Sequence, residues 1–332
     1  MPLQSNSTIT AIGSFVPSAV ITNEDLERMV DTNDEWIVRR TGIQKRHRAA
    51  DDEFTSHLAI AAVRDLIDRY RIDIQGVDGI IVATTTPDMP FPSVASRIQH
   101  AFGMNAGLAI DLNAACAGFV AALQLANGLL LSGANRKVLV IGAETLTKIT
   151  DYSDRSTCIL LGDGAGAVLV EAGSALENGA FLASYARTDG SGGKHVYCSG
   201  LSDRLDGEAL AGEGHMVQNG REVYKWAVTQ VPQGVQSLLD QAGVSLQQLD
   251  WLVPHSANLR MIEAICERLS LPSERALESV IRNGNTSAAS IPLALDAAVR
   301  DGRLQPGHLL ALYGFGAGLT QAGLLLRWTI GG

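Results

Sequence analysis

The sequence predicts an α/β protein made of two similar halves, with helices packed on and between two sheets. Short β-branched runs alternate with longer segments rich in Ala and Leu, which is typical of α/β proteins. Hydrophobic residues make up 46% of the 332 residues and charged residues only 18%, as expected for a chain with a large buried core. Weak internal similarities also recur at one spacing along the chain.

The clearest strands are runs that are apolar on both faces, because strands inside a sheet are buried on both sides. They are GIIVATTT (79–86), KVLVIGAE (137–144) and AGAVLVEA (165–172). Residues 112–135 carry no charge and are long enough to span a bilayer, but four Asn and Gln residues and three glycines interrupt them. We therefore expect a buried helix followed by a loop there, and no membrane partner.

The internal similarities share an offset of 171 or 172 residues. They pair VDGIIV (77–82) with LDWLVP (249–254), the segment around Cys116 with that around Ser287, and KVLVIGAE (137–144) with HLLALYGF (308–315). Two copies packed about a pseudo-two-fold axis would place Cys116 and the Asn285 turn at matching helix starts, facing one pocket. We divide the chain into residues 1–172 and 173–332, and expect 173–240 to be an insertion that carries surface or binding elements.

Charge and cysteine spacing exclude several kinds of partner. With 26 Lys and Arg against 35 Asp and Glu, the net charge is −9, so a nucleic acid bound by bulk charge is not expected. The four cysteines have neither zinc-site nor dithiol spacing, which predicts reduced thiols, no metal and a cytoplasmic location. The N-terminal MPLQSNSTIT lacks the features of a signal peptide.

Three residues could carry chemistry. Cys116 lies where small residues give way to a helical pattern, and the dipole of that helix would lower the pKa of its thiol; the alternative is a buried core cysteine. His255 follows the apolar run LDWLVP, where α/β sheets build their sites, although it could be a simple loop histidine. Asn285, in NGNTSAAS, could equally be a helix N-cap.

Two glycine-rich segments occupy different positions relative to the predicted strands. GDGAGA (162–167) precedes a strand, so it has no helix N-terminus to hold a phosphate, and we interpret it as a tight turn. GFGAG (314–318) ends a strand of the second half and could present backbone N–H groups to an oxyanion.

Seven motifs in this order resemble those of the β-ketoacyl-[acyl carrier protein] synthase III family, the initiating condensing enzymes of type II fatty acid synthesis. They are WIVRRTGIQKRH (36–47), NAACAGF around Cys116, TDYSDRSTCILLGDGAGA (150–167), NGREVYKWAV (219–228), PHSANLR (254–260), GNTSAAS (284–290) and YGFGAGLT (313–320). The resemblance implies the thiolase fold, a duplicated five-layered α-β-α-β-α architecture with two mixed sheets.

The resemblance also implies roles for the candidate residues. Cys116 is the expected nucleophile that takes the acyl group from an acyl-CoA primer, while His255 and Asn285 hydrogen-bond the malonyl thioester carbonyl as carbon dioxide leaves. The backbone N–H groups of Cys116 and Ala317 would form the oxyanion hole, with Ala317 in place of a glycine of some members. Ser256 stands where many members have Gln. Coenzyme A enters as a substrate, so no cofactor is expected.

Further residues match positions that bind the substrates. Trp36 and Arg155 would sandwich the CoA adenine, Thr32 and Arg40 would lie near its phosphates, and Asn258 would contact pantetheine. Phe91 would reach into the primer pocket of a partner subunit, which implies a homodimer.

The carrier protein of this family is usually acidic, so a chain with net charge −9 needs a local basic face to dock it. Arg221 and Lys225, at positions i and i+4 of a predicted helix, and Arg260 are the candidates for that face. The alternative is an ordinary solvated helix surface.

The predicted reaction is decarboxylative condensation of acyl-CoA with malonyl-[acyl carrier protein]. One alternative keeps the fold and transfers acyl groups without decarboxylation, or condenses them in specialised metabolism. Another is a non-catalytic acyl-binding protein. A synthase of branched hydroxyacids would need a general-base glutamate at the site, and no motif provides one.

Overall fold

The structure, a computed structural model, describes residues 3–173 and 179–331. Within these ranges the strands are β1 (Ser7–Phe15), β2 (Ala19–Thr22), β3 (Lys45–Arg48), β4 (Gly79–Ala83), β5 (Leu108–Leu112), β6 (Lys137–Thr145), β7 (Asp163–Ala172), β8 (Phe181–Thr188), β9 (Val196–Cys198), β10 (Arg204–Leu205), β11 (Glu208–Ala209), β12 (Met216–Gln218), β13 (Trp251–Pro254), β14 (Leu309–Gly316) and β15 (Thr320–Arg327). The helices are α1 (Asn23–Glu27), α2 (Asp34–Thr41), α3 (Thr55–Tyr70), α4 (Val94–Ala101), α5 (Gly118–Leu131), α6 (Gly220–Ala242), α7 (Leu259–Leu269), α8 (Val280–Asn283) and α9 (Ser290–Arg300).

Two mixed sheets form the frame of the molecule. The first has the strand order β1-β7-β6-β4-β5, in which β6, β4 and β5 run parallel and the β1–β7 and β7–β6 pairs are antiparallel. The second has the order β13-β14-β15-β8, with β13 and β14 parallel and the other pairs antiparallel. The predicted runs of buried strands correspond to β4, β6 and β7.

Helices cover both sheets and also separate them. Helices α5 and α9 lie between the sheets and share their apolar core. Helices α3 and α4 pack on the outer face of the first sheet, and α6 and α7 on the outer face of the second. These five layers confirm the predicted thiolase-type architecture, and α5 is the buried helix expected within 112–135.

The duplication is visible as a constant offset. Strands β4 and β13, strands β6 and β14, and helices α5 and α9 each begin 172 residues apart. Strand β8 borders β15 as β1 borders β7, and α6 covers the second sheet as α3 covers the first. The boundary between 172 and 173 stays a prediction. The segment 173–240 was expected to be an insertion. Its residues 174–178 lie outside the described part of the chain. Its strand β8 and helix α6 belong to the layers of the second half.

Glycines let the central turns approach both sheets. A Cβ on Gly142 of β6 would lie 2.3 Å from the carbonyl oxygen of Ala288, and a Cβ on the equivalent Gly314 would lie 2.7 Å from the Cα of Ala117. Such distances exclude any side chain at either position. The GDGAGA segment differs from the prediction, because from Asp163 onward it is strand β7 rather than a turn. None of the described helices is long and apolar enough to cross a bilayer.

Candidate active site

A cavity of about 410 Å³ lies where the two halves meet. It brings together Cys116 and Asn285, as the duplication predicted, and adds His255 and Ala317. Most of the remaining wall is apolar or small, and includes Thr85, Asn113, Leu146, Leu161, Cys198, Met216, Ser287 and Phe315. The sulfur, the imidazole and the carboxamide therefore face one space, although they are far apart along the chain.

Cys116 lies in a 3₁₀ turn, Ala115–Ala117, directly before helix α5. Burial raises the pKa of the Cys116 thiol to about 12, a hydrogen bond from Ser287 opposes that rise, and the charge of Glu144 adds to it. The expectation that the helix dipole would lower the pKa of this thiol is therefore wrong, since burial outweighs it.

His255 follows β13 and is only 2% exposed. Its Nδ1 lies 2.8 Å from the Oγ of Ser290, and its ring meets Phe315 edge-on at 5.4 Å between centroids. Burial lowers the pKa of His255 to about 3, so the imidazole is neutral at working pH. A neutral imidazole can donate a hydrogen bond without adding a charge to the cavity.

Asn285 is held by the backbone on both of its sides. Its N–H donates to Leu160 at 2.7 Å and its carbonyl accepts from Gly162 at 3.0 Å. Its side-chain Oδ1 accepts the N–H of Ser287 at 2.9 Å, which is the N-cap-like turn considered as an alternative. Within residues 3–173 and 179–331, no hydrogen-bond partner is found for the amide nitrogen of the same side chain, so the turn and a catalytic role are compatible.

The loop after β14 completes the cavity beside the sulfur. A Cβ on Gly316 would lie 3.1 Å from the Sγ of Cys116, so this strand end approaches the sulfur closely. Ala317 follows and lines the cavity. Ala317 and Cys116 therefore line the same cavity.

The residues expected to bind CoA form a separate cluster on and near helix α2. The guanidinium of Arg155 lies 5.2 Å from the centroid of the Trp36 ring, and that of Arg40 lies 5.7 Å from it. The buried Oγ1 of Thr32 has no hydrogen-bond partner among the described residues. None of these four side chains lines the cavity.

Asn258 joins that cluster to the cavity. It follows His255 and the cavity-lining Ala257, caps helix α7 by accepting the N–H of Arg260 at 2.8 Å, and donates to the carbonyl of Arg40 at 3.3 Å. Contacts from Asn258 to Arg40, and from Arg40 to the ring of Trp36, therefore connect the start of α7 with the cluster.

The candidate basic face has partners within the chain. Arg260 pairs with Glu263 at 2.8 Å and donates to the carbonyls of Val38 and Arg39. Lys225 pairs with Glu222 at 2.8 Å, while Arg221 is exposed on the same helix. Both ion pairs lie at the surface, where such pairs contribute at most about 1 kcal/mol.

Phe91 lies in the loop between β4 and α4 and is 83% exposed. It does not line the cavity of its own chain. Strand β5, at the edge of the first sheet, is half-exposed along its length. Met89, Phe91 and parts of β5 therefore present apolar surface outside the chain's own core.

Sequence reasoning missed Glu144, a fully buried carboxyl behind the cavity wall. Its oxygens accept hydrogen bonds from the backbone N–H groups and the hydroxyls of Thr85 and Thr86. Burial raises the pKa of Glu144, and the hydrogen bonds from these threonines and Ser287 oppose that rise. The available signal was its position, because Glu144 is a charged residue at the end of the apolar run KVLVIGAE.

Asn113 and Cys198 also belong to the cavity, and Ser256 directly follows His255. Asn113 lines the cavity, and the 172-residue offset to Asn285 was the signal that could have found it. Cys198 lies in β9 and also lines the cavity. Ser256 is fully buried, and its Oγ accepts the N–H of Ser279 at 3.1 Å. All four cysteines are free thiols, and the described residues hold no cluster of potential metal ligands.

Family models match two parts of the chain. Residues 110–190 match 3-oxoacyl-[acyl-carrier-protein (ACP)] synthase III, and residues 239–328 match the C-terminal part of the same family. The first range holds Cys116 and the second holds His255 and Asn285. The three candidate catalytic residues thus fall in matched sequence.

Similar proteins cover nearly all of the chain. A β-ketoacyl-[acyl-carrier-protein] synthase III 2 of Halalkalibacterium halodurans is 56% identical over 326 residues, covering 98% of each chain. One of Bacillus subtilis is 54% identical over 324 residues, covering 98% of this chain and 99% of the relative. The crystal structure of a Thermus thermophilus β-ketoacyl-[acyl carrier protein] synthase III has a TM-score of 0.93 and 46% identity, covering 97% of this chain and 99% of that one.

Proposed function

Because this chain belongs to the β-ketoacyl-[acyl carrier protein] synthase III family, we propose that Cys116, His255 and Asn285 carry out the two half-reactions of that enzyme. The enzyme is an acyltransferase that initiates fatty acid synthesis by condensation. It joins an acyl-CoA primer to malonyl-[acyl carrier protein], giving 3-oxoacyl-[acyl carrier protein], carbon dioxide and CoA.

In the first half-reaction, the sulfur of Cys116 attacks the acyl-CoA thioester. The bond between the acyl carbon and the CoA sulfur breaks, and the proton of the Cys116 thiol ends on the released CoA thiol. The N–H groups of Cys116 and Ala317 stabilise the tetrahedral oxyanion, and the support for this role is that both residues line the cavity that holds the sulfur. The product is an acyl thioester on Cys116.

In the second half-reaction, the bond between the malonyl carboxyl carbon and the α-carbon breaks, and carbon dioxide leaves. The electron pair of that bond stays with the remaining thioester as an enolate. Nε2–H of His255 and the amide of Asn285 donate hydrogen bonds to the enolate oxygen. The enolate carbon then attacks the acyl thioester on Cys116, the carbon–sulfur bond breaks, and the Cys116 thiolate takes a proton from solvent. Both donors are uncharged. A positively charged donor would stabilise the malonyl carboxylate in the ground state and so oppose its loss as carbon dioxide.

The observation that carries this proposal is that the sulfur, the imidazole and the carboxamide line one cavity. Its test measures labelled carbon dioxide released from carboxyl-labelled malonyl-[acyl carrier protein], together with acyl loading of Cys116 by mass spectrometry. We expect Asn285→Ala to reduce carbon dioxide release about 100-fold, because losing one such donor costs roughly 3 kcal/mol of barrier. Acyl loading of the variant remains.

Asn283→Ala is the matched control, because Asn283 lies two residues earlier and does not line the cavity. It should release carbon dioxide at the wild-type rate. Negligible release by both wild type and Asn285→Ala, with intact loading, would instead support an acyltransferase that does not decarboxylate. Bound CoA without an adduct on Cys116 would support a non-catalytic acyl-binding protein.

For the CoA moiety, we propose that Trp36 and Arg155 hold the adenine, with Thr32 and Arg40 near the phosphates and Asn258 beside pantetheine. The guanidinium of Arg155 is 5.2 Å from the Trp36 ring. A base between them needs two stacking contacts, about 7 Å in all, so Arg155 must move outward to admit it. The hydrogen bond from Asn258 to the carbonyl of Arg40, next to the cavity-lining Ala257, supports this assignment.

We also propose a homodimer in which Phe91 enters the partner's primer pocket. Edge strands that are long and apolar are normally covered. The half-exposed β5 and the 83% exposed Phe91 fit a second copy of this chain. Docking of the carrier protein on Arg221, Lys225 and Arg260, and the cytoplasmic location, remain predictions from the sequence.

A further inference from the structure

Ser290, the first residue of helix α9, is fully buried and does not line the cavity. The two half-reactions do not use it. Its Oγ nevertheless lies 2.8 Å from Nδ1 of His255, and it accepts the backbone N–H of Ser256 at 3.2 Å. In the proposed function, Nε2 of His255 faces the enolate oxygen. The contact at Nδ1 therefore decides which ring nitrogen carries the proton.

The number of protons available selects one arrangement. A serine hydroxyl has one hydrogen to donate and can accept two hydrogen bonds. If Nδ1 carried the imidazole proton, Oγ would accept two N–H groups and its own hydrogen would need a further acceptor. Among the described residues, Oγ of Ser290 has hydrogen-bond partners only in His255 and Ser256. Every group is satisfied only when Ser290 donates to Nδ1, which leaves the proton on Nε2.

We propose that Ser290 is a positioning residue that fixes His255 as the Nε2–H tautomer, so that an N–H and not a lone pair faces the enolate oxygen. The inference deepens the proposed function and rests on it. The opposite tautomer would present a lone pair to a developing negative charge, which destabilises the transition state instead of stabilising it.

The surroundings keep this arrangement in place. The hydroxyl of Ser279 donates to the carbonyl of Ser290 at 2.9 Å, and the N–H of Ser279 donates to Ser256 at 3.1 Å. The edge-on contact with Phe315 fixes the plane of the imidazole. Burial lowers the pKa of His255 to about 3, so the ring holds one proton at working pH and its placement has only two possibilities.

Nitrogen NMR of the free enzyme tests the tautomer directly. Protein labelled with ¹⁵N at histidine gives distinct signals for protonated and unprotonated ring nitrogens, and the His255 signals are those missing from His255→Asn. We expect wild-type His255 to show a protonated Nε2 and an unprotonated Nδ1 between pH 6 and 8. In Ser290→Ala we expect both signals to move toward a mixture of tautomers. A protonated Nδ1 in the wild type overturns the proposal without any variant.

Kinetics separate positioning from a general loss of structure. Ser290→Ala should lower the kcat of condensation about tenfold, equivalent to about 1.4 kcal/mol, while acyl loading of Cys116 changes less than about twofold. Ser279→Ala is the control, because it removes a hydroxyl of the same network without touching the imidazole, and its tautomer signals should match the wild type. Equal losses of loading and condensation in Ser290→Ala, with unchanged signals, would contradict the proposal.

The two readouts also distinguish this inference from the proposed function. Failure of wild-type enzyme to release carbon dioxide from malonyl-[acyl carrier protein] counts against the proposed function. Wild-type decarboxylation together with an Nδ1-protonated His255 counts against the role of Ser290 alone.

Discussion

Ala115 and Ser287 adopt the same left-handed backbone conformation, with φ of 47° and 46°, at equivalent points of the two halves. Each lies two residues after an asparagine whose Oδ1 accepts its N–H, Asn113 at 3.2 Å and Asn285 at 2.9 Å. Each also begins a 3₁₀ turn that leads into a central helix. A non-glycine residue with left-handed backbone angles lowers the stability of the fold by roughly 1–2 kcal/mol. Both turns that form the site therefore hold backbone strain.

This strain predicts a sharp dependence on the residue at position 115. Ala115→Val should lower the free energy of unfolding by about 2 kcal/mol or more, because a β-branched side chain fits a positive φ poorly. Denaturant unfolding measures the loss. Ala114→Val is the control, since Ala114 has a negative φ of −135° and should lose less. Equal losses in the two variants would show that packing, not backbone strain, limits position 115.

The raised pKa of Cys116 predicts how its reactivity depends on pH. Burial raises the pKa of this thiol to about 12, so the thiolate fraction should grow tenfold per pH unit through the neutral and mildly alkaline range. Alkylation of Cys116 by iodoacetamide, followed by peptide mass spectrometry in a Cys198→Ser background, should rise without a plateau from pH 7 to 10. A plateau near pH 8 would mean that the helix dipole dominates instead.

Glu144 gives a second prediction about the same sulfur. Its negative charge raises the pKa of Cys116, so Glu144→Gln should speed alkylation of Cys116 at pH 9. The variant should also lower the free energy of unfolding by about 1–3 kcal/mol, because an amide N–H₂ would face threonine donors in a buried site. Glu171→Gln, which removes a surface partner of Lys137, should change neither the alkylation rate nor the cavity. An unchanged rate in Glu144→Gln would show that Glu144 is uncharged.

Local patterns in the sequence were enough to predict the architecture. Runs such as KVLVIGAE are apolar on both faces because β6 lies inside a sheet, and the recurring offset follows directly from the duplication. Since equivalent turns meet at the pseudo-two-fold axis, the meeting of Cys116 with Asn285 was predictable without coordinates. Placing Trp36 and Arg155 required the resemblance to a known family.

Quantities that depend on tertiary burial were not predictable. The thiol of Cys116 lies at a helix start as expected, but the surrounding low-dielectric cavity reverses the sign of the pKa shift. In the sequence, Glu144 is simply a residue near the end of a strand. Its partners Thr85 and Thr86 come from the loop after a different strand, so the contact between them could not be predicted. Ser290 likewise gains its role only because α9 begins beside His255.

The basic face of helix α6 predicts a defect specific to the carrier protein. Lys225 pairs with Glu222 at the surface, an interaction weak enough to be exchanged for a carboxylate of an acidic partner. The double variant Arg221→Glu, Lys225→Glu should raise the KM for malonyl-[acyl carrier protein] about tenfold at low salt and leave the KM for acyl-CoA unchanged. The effect should shrink as salt is added. Arg303→Glu, which alters a cation paired with Asp301 away from α6, is the control. An equal rise in both KM values would contradict docking on this face.

Phe91 predicts complementation between two defective chains. Cys116→Ala lacks the proposed nucleophile but keeps Phe91, whereas Phe91→Ala keeps the proposed nucleophile and should have a raised KM for acyl-CoA. If Phe91 completes the partner's pocket, each heterodimer contains one intact site, and random pairing of equal amounts restores about a quarter of the wild-type sites.

Co-expression of the two chains, with kinetics at limiting acyl-CoA, measures that recovery. Met89→Ala changes a neighbouring exposed side chain (42% exposed) in the same loop, and should need no complementation. Sedimentation velocity should give a dimer for each variant, since a single truncated side chain leaves β5 available for pairing. Activity no greater than the sum of the separate chains would place Phe91 outside the partner's site, because an intact neighbour would then contribute nothing to the pocket.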